Sequence, residues 1–397
     1  MTIPKHILPV IVIAQFCCTS LWFAGNGVMS DLIREFDLQP EALGHLTSAV
    51  QFGFISGTLI FAVLTVADRI SPSKVFLWCA IAGAVCNLGI LWEKNSLASL
   101  FTLRATTGFF LAGIYPVGMK IAADYYSKGL GKSLGYLVGA LVLGTAFPHL
   151  LSSLPAMYDW EQVIIVVSGI ALAGGLLMFL MVPDGPNRKA GKRTSFLTAF
   201  RVFRNIDFRA AAFGYFGHMW ELYAFWTFIP LVIMQYSGFH GEPISAVSLW
   251  SFIIIGIGGL SCVAGGYLST KWGEVRVAFA SLGLSGLCCL LSPLFFLQEI
   301  PGLMLTFLVF WGIVVIADSP LFSTLVAHNA EPRIKGSALT LVNCIGFALT
   351  ILSIQLLNWL SDTIRFHYLY LFLVPGPVLG LLALRSLVRS PGPVSRD

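Results

Sequence analysis

Long apolar runs alternate with short polar clusters along the whole chain. A membrane-spanning helix needs about 20 consecutive apolar residues. Twelve such runs can be drawn, at 7–28, 43–66, 74–93, 98–121, 133–154, 162–182, 210–234, 245–268, 276–297, 302–325, 337–359 and 367–388. The connections are short apart from 183–209. Glycine and proline recur inside the runs, as membrane helices tolerate. The pattern predicts an all-α integral membrane protein with twelve transmembrane helices, embedded in a lipid bilayer.

Composition removes the main alternatives. The chain has 397 residues, of which 57% are hydrophobic and 11% charged, and its mean hydropathy is +0.83. Soluble domains carry about 25% charged residues, so too few polar side chains exist here to cover a soluble surface. The net charge is +5, but the basic residues are scattered over many loops. Nucleic-acid binding needs a clustered basic face and is excluded. Cys17, Cys18, Cys79, Cys86, Cys262, Cys288, Cys289 and Cys344 all lie in apolar runs, with no C-x-x-C or zinc-type histidine spacing. They read as small buried hydrophobes, so no metal or cofactor is expected. No nucleophile motif or extramembrane domain supports an enzyme. Lys5 precedes the first run without a small-residue cleavage site, which predicts a retained helix rather than a leader.

Lysine and arginine concentrate in cytoplasmic loops. With the N-terminus inside, the tails and even-numbered connections hold Lys5, Arg69, Lys74, Lys120, Lys128, Lys132, Arg188, Lys189, Lys192, Arg193, Arg201, Arg204 and Arg209. They continue with Lys271, Arg276, Arg333, Lys335, Arg385, Arg389 and Arg396. The opposite side has Arg34, Lys94 and Arg365, and Arg104 is left at membrane depth. Both termini are therefore expected in the cytoplasm. Small loops and the lack of an N-x-S/T sequon fit a bacterial inner membrane, and the protein is read as a monomer.

The chain also repeats itself at a spacing of roughly 200 residues. Phe16–Ala24 stands opposite Phe216–Ala224, Gly113-Ile-Tyr-Pro116 opposite Ala317-Asp-Ser-Pro320, and Ser133 opposite Ser337. This predicts two pseudo-symmetric six-helix bundles, 1–182 and 210–397, joined by a basic cytoplasmic linker, 183–209. Repeated halves place a binding site at their interface near the bilayer midplane.

Two loops and one helix carry a family resemblance. The loop after the second run reads Ala67-Asp68-Arg69-Ile70-Ser71-Pro72-Ser73-Lys74. The loop after the eighth reads Gly266-Tyr-Leu-Ser-Thr-Lys271-Trp-Gly273-Glu-Val-Arg276. The second resembles the G-x-L-S-D-R-x-G-R-R signature of the major facilitator superfamily, with Thr270 in place of the Asp. The first keeps Asp68 and Arg69 without the flanking glycines. Arg104-Ala-Thr-Thr-Gly108 is similar to the family's R-x-x-x-G motif, and Asp159-Trp160-Glu161 and Pro183-Asp184 add to the likeness.

The resemblance implies a secondary transporter whose halves rock about a cavity lined by helices 1, 4, 7 and 10. It also implies a gating charge cluster of Asp68, Arg69 and Asp124, with Lys271 in the second loop. Helix five lacks the Gly-Pro motif of many antiporters, having Gly135, Gly139 and Gly144 before Pro148-His149. Ala112–Lys120 is loosely similar to a branch labelled nitrate/nitrite transporter. The arginines that nitrate carriers hold on helices two and eight are missing, so that activity is not expected.

Ionisable residues at membrane depth are costly and mark function. Glu221 falls about twelve residues into its run, near the midplane at about 1.5 Å per residue. His218 is one turn earlier on the same face. The two are read as a proton-coupling pair, with Glu221 the carrier, against the alternative of a hydrogen-bonded pair that only holds helices together. Asp318 precedes Ser319-Pro320, where proline kinks a helix, and is a second protonation or cation site, or else a cap. Arg104 is a candidate for pairing with Glu221 or for an anionic solute, against a structural role.

Gln15, Thr19, Trp22 and Asn26 recur at i, i+4, i+7 and i+11, one polar face of helix 1. With Tyr215, Tyr223 and Trp226 they are candidate substrate-binding groups, or else interhelical polar contacts. Gly53 with Gly57, and Gly135 with Gly139, have the spacing of close helix packing.

The expectation is a proton-coupled transporter of a small polar or anionic solute. The alternatives are proton-driven efflux of a hydrophobic or cationic compound, and a membrane sensor without transport.

Overall fold

The structure, a computed structural model, describes residues 3–126, 130–188, 200–331 and 334–389, with side chains from 133 onward in the second stretch. The charges expected at Lys128, Lys132, Lys189, Lys192, Arg193, Arg333 and Arg396 lie outside the described residues, as does 189–199 of the expected linker.

Among the described residues, eleven helices are long and apolar enough to cross a membrane, and a shorter apolar helix, Ile7–Thr19, precedes them. We number the spans α1 to α12. α1 is broken: Ile7–Thr19 is followed by Ala24–Gly27 and Met29–Glu35. α2 is Ala42–Val63, α3 Pro72–Leu88, α5 Leu130–Ser152 and α6 Trp160–Met181. α4 has two parts, Leu97–Leu111 and Tyr115–Tyr125. α7 is Ile206–His240, α8 Val247–Trp272, α9 Glu274–Phe296 and α11 Lys335–Leu360. α10 is again split, into Pro301–Val314 and Ser319–Asn329, and α12 starts at Phe366 and ends with Pro375–Arg389.

Local sequence explains most of these limits. Pro116 and Pro320 sit in the first turn of the second parts of α4 and α10, where a missing N–H costs nothing. Proline here restarts a helix after a gap rather than bending one that continues. Asn205 caps α7, its Oδ1 accepting from Asp207 N at 2.9 Å and Phe208 N at 3.2 Å. Asp159 and Gln162 close a capping box on α6. Gly273 turns α8 into α9 with φ 85°, a backbone state that other residues avoid.

Within the first half α2 packs on α4, α3 on α6, and α1 on α5 and α6; within the second α7 packs on α12 and α9 on α12. The halves meet along two seams, α5 with α8 and α2 with α11. Gly53, Gly57 and Gly139 do the packing work expected of them, while Gly135 leaves room for a Cβ. A Cβ on Gly53 would overlap the Ala105 carbonyl of α4, and one on Gly139 would lie 2.8 Å from the Gly259 carbonyl of α8.

The end away from the termini, which we call distal, is closed. Gln355 Nε2 donates to Gly44 O at 3.0 Å and Ser48 Oγ at 2.8 Å, and Asn358 Nδ2 donates to Glu41 O at 3.1 Å. Beneath these bonds lies an aromatic layer. Trp22 stacks on Tyr223 and Phe347, with ring centroids 5.8 and 5.7 Å apart, and Phe54 lies 4.5 Å from Phe347.

Candidate functional site

On the terminal side of the aromatic layer lies a narrow cavity of about 30 Å³ between the halves. Tyr115 and Met119 of α4 and Val138 and Leu141 of α5 form one wall. Tyr215, Met219, Leu222 and Tyr223 of α7, Ile316, Ser319 and Ser323 of α10, and Asn343 and Phe347 of α11 form the other. None of these residues carries a formal charge. A larger cavity of about 270 Å³ sits at the terminal rim of the α5–α8 seam, lined by Tyr136, Tyr267, Thr270, Glu274 and Thr324 among others. It touches none of the charged groups at membrane depth, and we centre the site on the smaller one.

Helix geometry explains which residues of α7 reach the cavity. At about 100° per residue, Tyr215, Met219, Leu222, Tyr223 and Trp226 share one face. Glu221 falls about 160° from Met219 on that wheel. It is 0% exposed and points into its own half. Ser285 Oγ of α9 donates to Glu221 Oε2 at 2.9 Å, and Trp311 Nε1 of α10 donates to Oε1 at 2.6 Å. The Trp311 indole is held by stacking on Phe225 at 4.5 Å.

His218 does not pair with Glu221, which corrects the expected arrangement. Its Nδ1 lies 2.9 Å from Asp318 Oδ1, and the two residues are 1% and 0% exposed. The approach is at ion-pair distance. His218 Nε2 is buried without a protein partner. Asp318 is the last residue before the second part of α10 and does not cap it with its side chain. The pair adjoins the cavity through its sequence neighbours, Met219 and Ser319.

Arg104 is 1% exposed and reaches neither Glu221 nor the cavity wall. It donates from Nη1 to Leu21 O at 3.1 Å and Asn87 Oδ1 at 3.3 Å, and from Nη2 to Trp22 O at 2.5 Å. Leu21 and Trp22 belong to the gap in α1, where helical hydrogen bonding lapses and carbonyls are left over. Three of its five N–H groups are committed inside the first half, and the side chain lies outside the cavity wall, so the expected meeting with an anionic solute is not seen there.

The same gap undoes the expected polar face of α1. Gln15 lies against Gly118 of α4 with both amide atoms lacking a protein partner. Thr19 Oγ1 donates to Gln15 O at 2.8 Å. Trp22 joins the aromatic layer, and Asn26 Nδ2 donates to Thr47 Oγ1 at 2.8 Å. The four therefore serve different neighbours. Trp226 lies edge-on to Tyr223 at 5.3 Å and to Phe23 at 6.3 Å, with its Nε1 unpartnered. Of the aromatic candidates, Tyr215 and Tyr223 line the cavity itself.

At the terminal end Lys120 of α4 joins two of the expected gating residues. Its Nζ is 2.9 Å from Asp68 Oδ1 and 3.9 Å from Asp124 Oδ1. Arg188 pairs with Asp184 and donates to Asp68 O at 3.3 Å. This cluster joins the first half to the start of the linker and does not reach the second half. Arg69 and Lys271 are exposed side chains.

Sequence reading missed Lys120 as a cluster member, and Tyr115, Met119, Asn343 and Phe347 as cavity wall. Tyr115 had a signal: it adjoins Pro116, which the repeat sets opposite Pro320. Phe347 and Asn343 had none, because a phenylalanine in an apolar run looks like any other.

Comparison with known proteins agrees with this architecture. A profile of the Major Facilitator Superfamily matches residues 11–354. An uncharacterized MFS-type transporter, YfhI, of Bacillus subtilis is 22% identical over 363 residues, 86% of this chain and 85% of that one. A benzoate transport protein of Acinetobacter baylyi is 27% identical over 165 residues, 38% of this chain and 34% of that one. A bacterial homolog of the human lysosomal transporter Spinster, solved inward-facing and unoccupied, superimposes with a TM-score of 0.73 at 16% identity, covering 97% of each chain. The human organic anion transporter MFSD10 gives 0.74 at 14% identity, over 96% of this chain and 100% of that one.

Proposed function

The chain belongs to the major facilitator superfamily, and we propose that it carries a small uncharged polar solute across the membrane by alternating access, coupled to protons at the His218–Asp318 pair. The position of that pair is the observation behind this reading. It is buried beside a cavity whose own wall is uncharged. Proton and solute then bind side by side without competing for the same atoms. A charged solute would lose its hydration in that wall with no counter-charge to offset it, at a cost of several kcal/mol. An uncharged one meets the hydroxyls of Tyr115, Tyr215, Tyr223, Ser319 and Ser323, the amide of Asn343, and the ring of Phe347. The anionic class loses its support because Arg104 lies outside the cavity wall.

The basic loops favour a cell (inner) membrane with both termini in the cytoplasm. On that orientation the distal closure is the inward-directed state. Residues 1–182 and 210–397 would rock as two bodies within one monomer. Asp68, Arg69, Asp124 and Lys271, joined by Lys120, would form a terminal-side latch, since charge-assisted pairs bias a two-state interface.

Counterflow into proteoliposomes and thermal stabilisation in detergent test the solute class with matched pairs, a sugar with its uronate and a benzyl alcohol with its benzoate. The neutral member of at least one pair should exchange and stabilise. Preference for the carboxylate members, or no response to any neutral one, contradicts the reading.

A further inference from the structure

We propose that the His218–Asp318 pair works the gap in α10 as a proton-operated hinge, and that this hinge moves the α5–α8 seam between the halves. The proposal rests on the proton-coupled reading above and says how a bound proton becomes a motion.

Asp318 occupies a position with two uses. Its backbone carbonyl already starts the second part of α10, accepting from Leu321 N at 3.0 Å and Phe322 N at 2.9 Å. An aspartate there ordinarily also turns its carboxylate onto the helix N-terminus as a cap, where the dipole favours negative charge. Here the carboxylate leaves the cap and reaches His218 across to α7 instead. The side chain thus has two partners in two directions. Protonated His218 holds it to α7. When the ring gives up its proton the attraction ends, and the helix N-terminus is the remaining electropositive neighbour.

The titratable groups facing the pair are few. Tyr215 lies 6.2 Å from the His218 ring on α7. Glu221 of α7 and Cys262 of α8 are within electrostatic reach of Asp318. Phe322 of α10 covers the imidazole at 5.8 Å. Glu221 is the other acid in reach, and its carboxyl is held in its own half by Ser285 and Trp311.

The gap is seated on α8 with no slack. Cys262 Sγ donates to Ile316 O at 3.5 Å. A Cβ on Gly258 would lie 2.6 Å from the Ile316 side chain, and one on Gly265 would overlap the Ala317 carbonyl. The same stretch of α8 faces α5 on its other side, Gly259 against Gly139 and Cys262 against Gly135. Close-packed contacts transmit a displacement instead of absorbing it. A change of conformation between residues 315 and 318 therefore pushes α8 along α5, which is a seam between the rocking bodies.

The test needs no solute. Spin labels placed by non-canonical amino acids at Gln39 and Asp362, both exposed at the distal end, report the distance between the halves in nanodiscs. The populations should shift across a pH series from about 5 to about 8, as the pair gains or loses a proton. The ratio changes about tenfold for each unit by which proton affinity differs between the two states. Asp318→Asn and His218→Gln should each abolish the shift, and either suffices if the other fails to fold. Glu221→Gln should keep it. A wild-type distribution fixed across that range, or a shift that survives in the folded variants, overturns the hinge. Proton-driven uptake with a fixed distribution would sink the hinge and leave the transport reading standing. A pH-driven shift without proton-driven uptake would do the reverse.

Discussion

In the first half the charge buried at a three-helix junction is Arg104, and the helix it faces has come apart. In the second half it is Glu221, and α7 runs unbroken from Ile206 to His240 beside it. The sign of the charge accounts for the difference. A guanidinium needs acceptors, and a gap in a helix supplies carbonyls, here those of Leu21 and Trp22. A carboxylate needs donors, and every N–H inside a continuous helix is already used. Glu221 therefore takes side-chain donors, Ser285 and Trp311, and leaves its helix intact.

A second contrast lies one turn away. In the register of the internal repeat, His218 and Asp318 stand opposite Cys18 and Ile114. The first half is apolar where the second can hold a proton. The halves share a scaffold, but the proton chemistry we assign belongs to one of them.

The largest effect is expected from Arg104→Met. It leaves two buried carbonyls and Asn87 without their donor, and hydrogen bonds to a charged group contribute about 1.5–3 kcal/mol each. Thermal unfolding in detergent should show a loss of at least about 4.5 kcal/mol, with the gap in α1 the first region to exchange its amide protons. An unchanged melting point would mean that the carbonyls find other partners.

Next comes Trp22→Leu, which removes two stacked aromatic partners across the halves, worth about 2 kcal/mol together. Because that layer joins the halves beneath the distal closure, the variant should shift the labelled distal ends apart. Destabilisation without a change in the distance distribution would make Trp22 a packing residue and no more.

Much of the fold could be read from the chain, because a membrane demands long apolar runs and a repeat shows itself by spacing. The breaks in α4 and α10 were half visible through Pro116 and Pro320. The break in α1 was not, since Ser20 to Phe23 contains no proline or glycine; the carbonyls it frees are taken by Arg104, more than 80 residues away. The ionisable residues were visible as anomalies, but their pairing was not. Spacing put His218 and Glu221 on one helix face, yet a residue's partner depends on which neighbouring helix that face meets. Counting the aromatic residues of α7 on the same wheel would have placed Glu221 away from the cavity.

The central claim is that the proton site is the pair beside the cavity and not the carboxyl buried in the second half. Proton-driven uptake of the transported solute into proteoliposomes, compared between Glu221→Gln and Asp318→Asn, tests it most directly. Glutamine can still accept from Trp311 and keep a hydrogen bond with Ser285, so Glu221→Gln should retain coupled uptake within about twofold, a change of about 0.4 kcal/mol. Asp318→Asn should lose its dependence on the proton gradient while still exchanging solute. Coupling lost in Glu221→Gln and kept in Asp318→Asn would contradict the account.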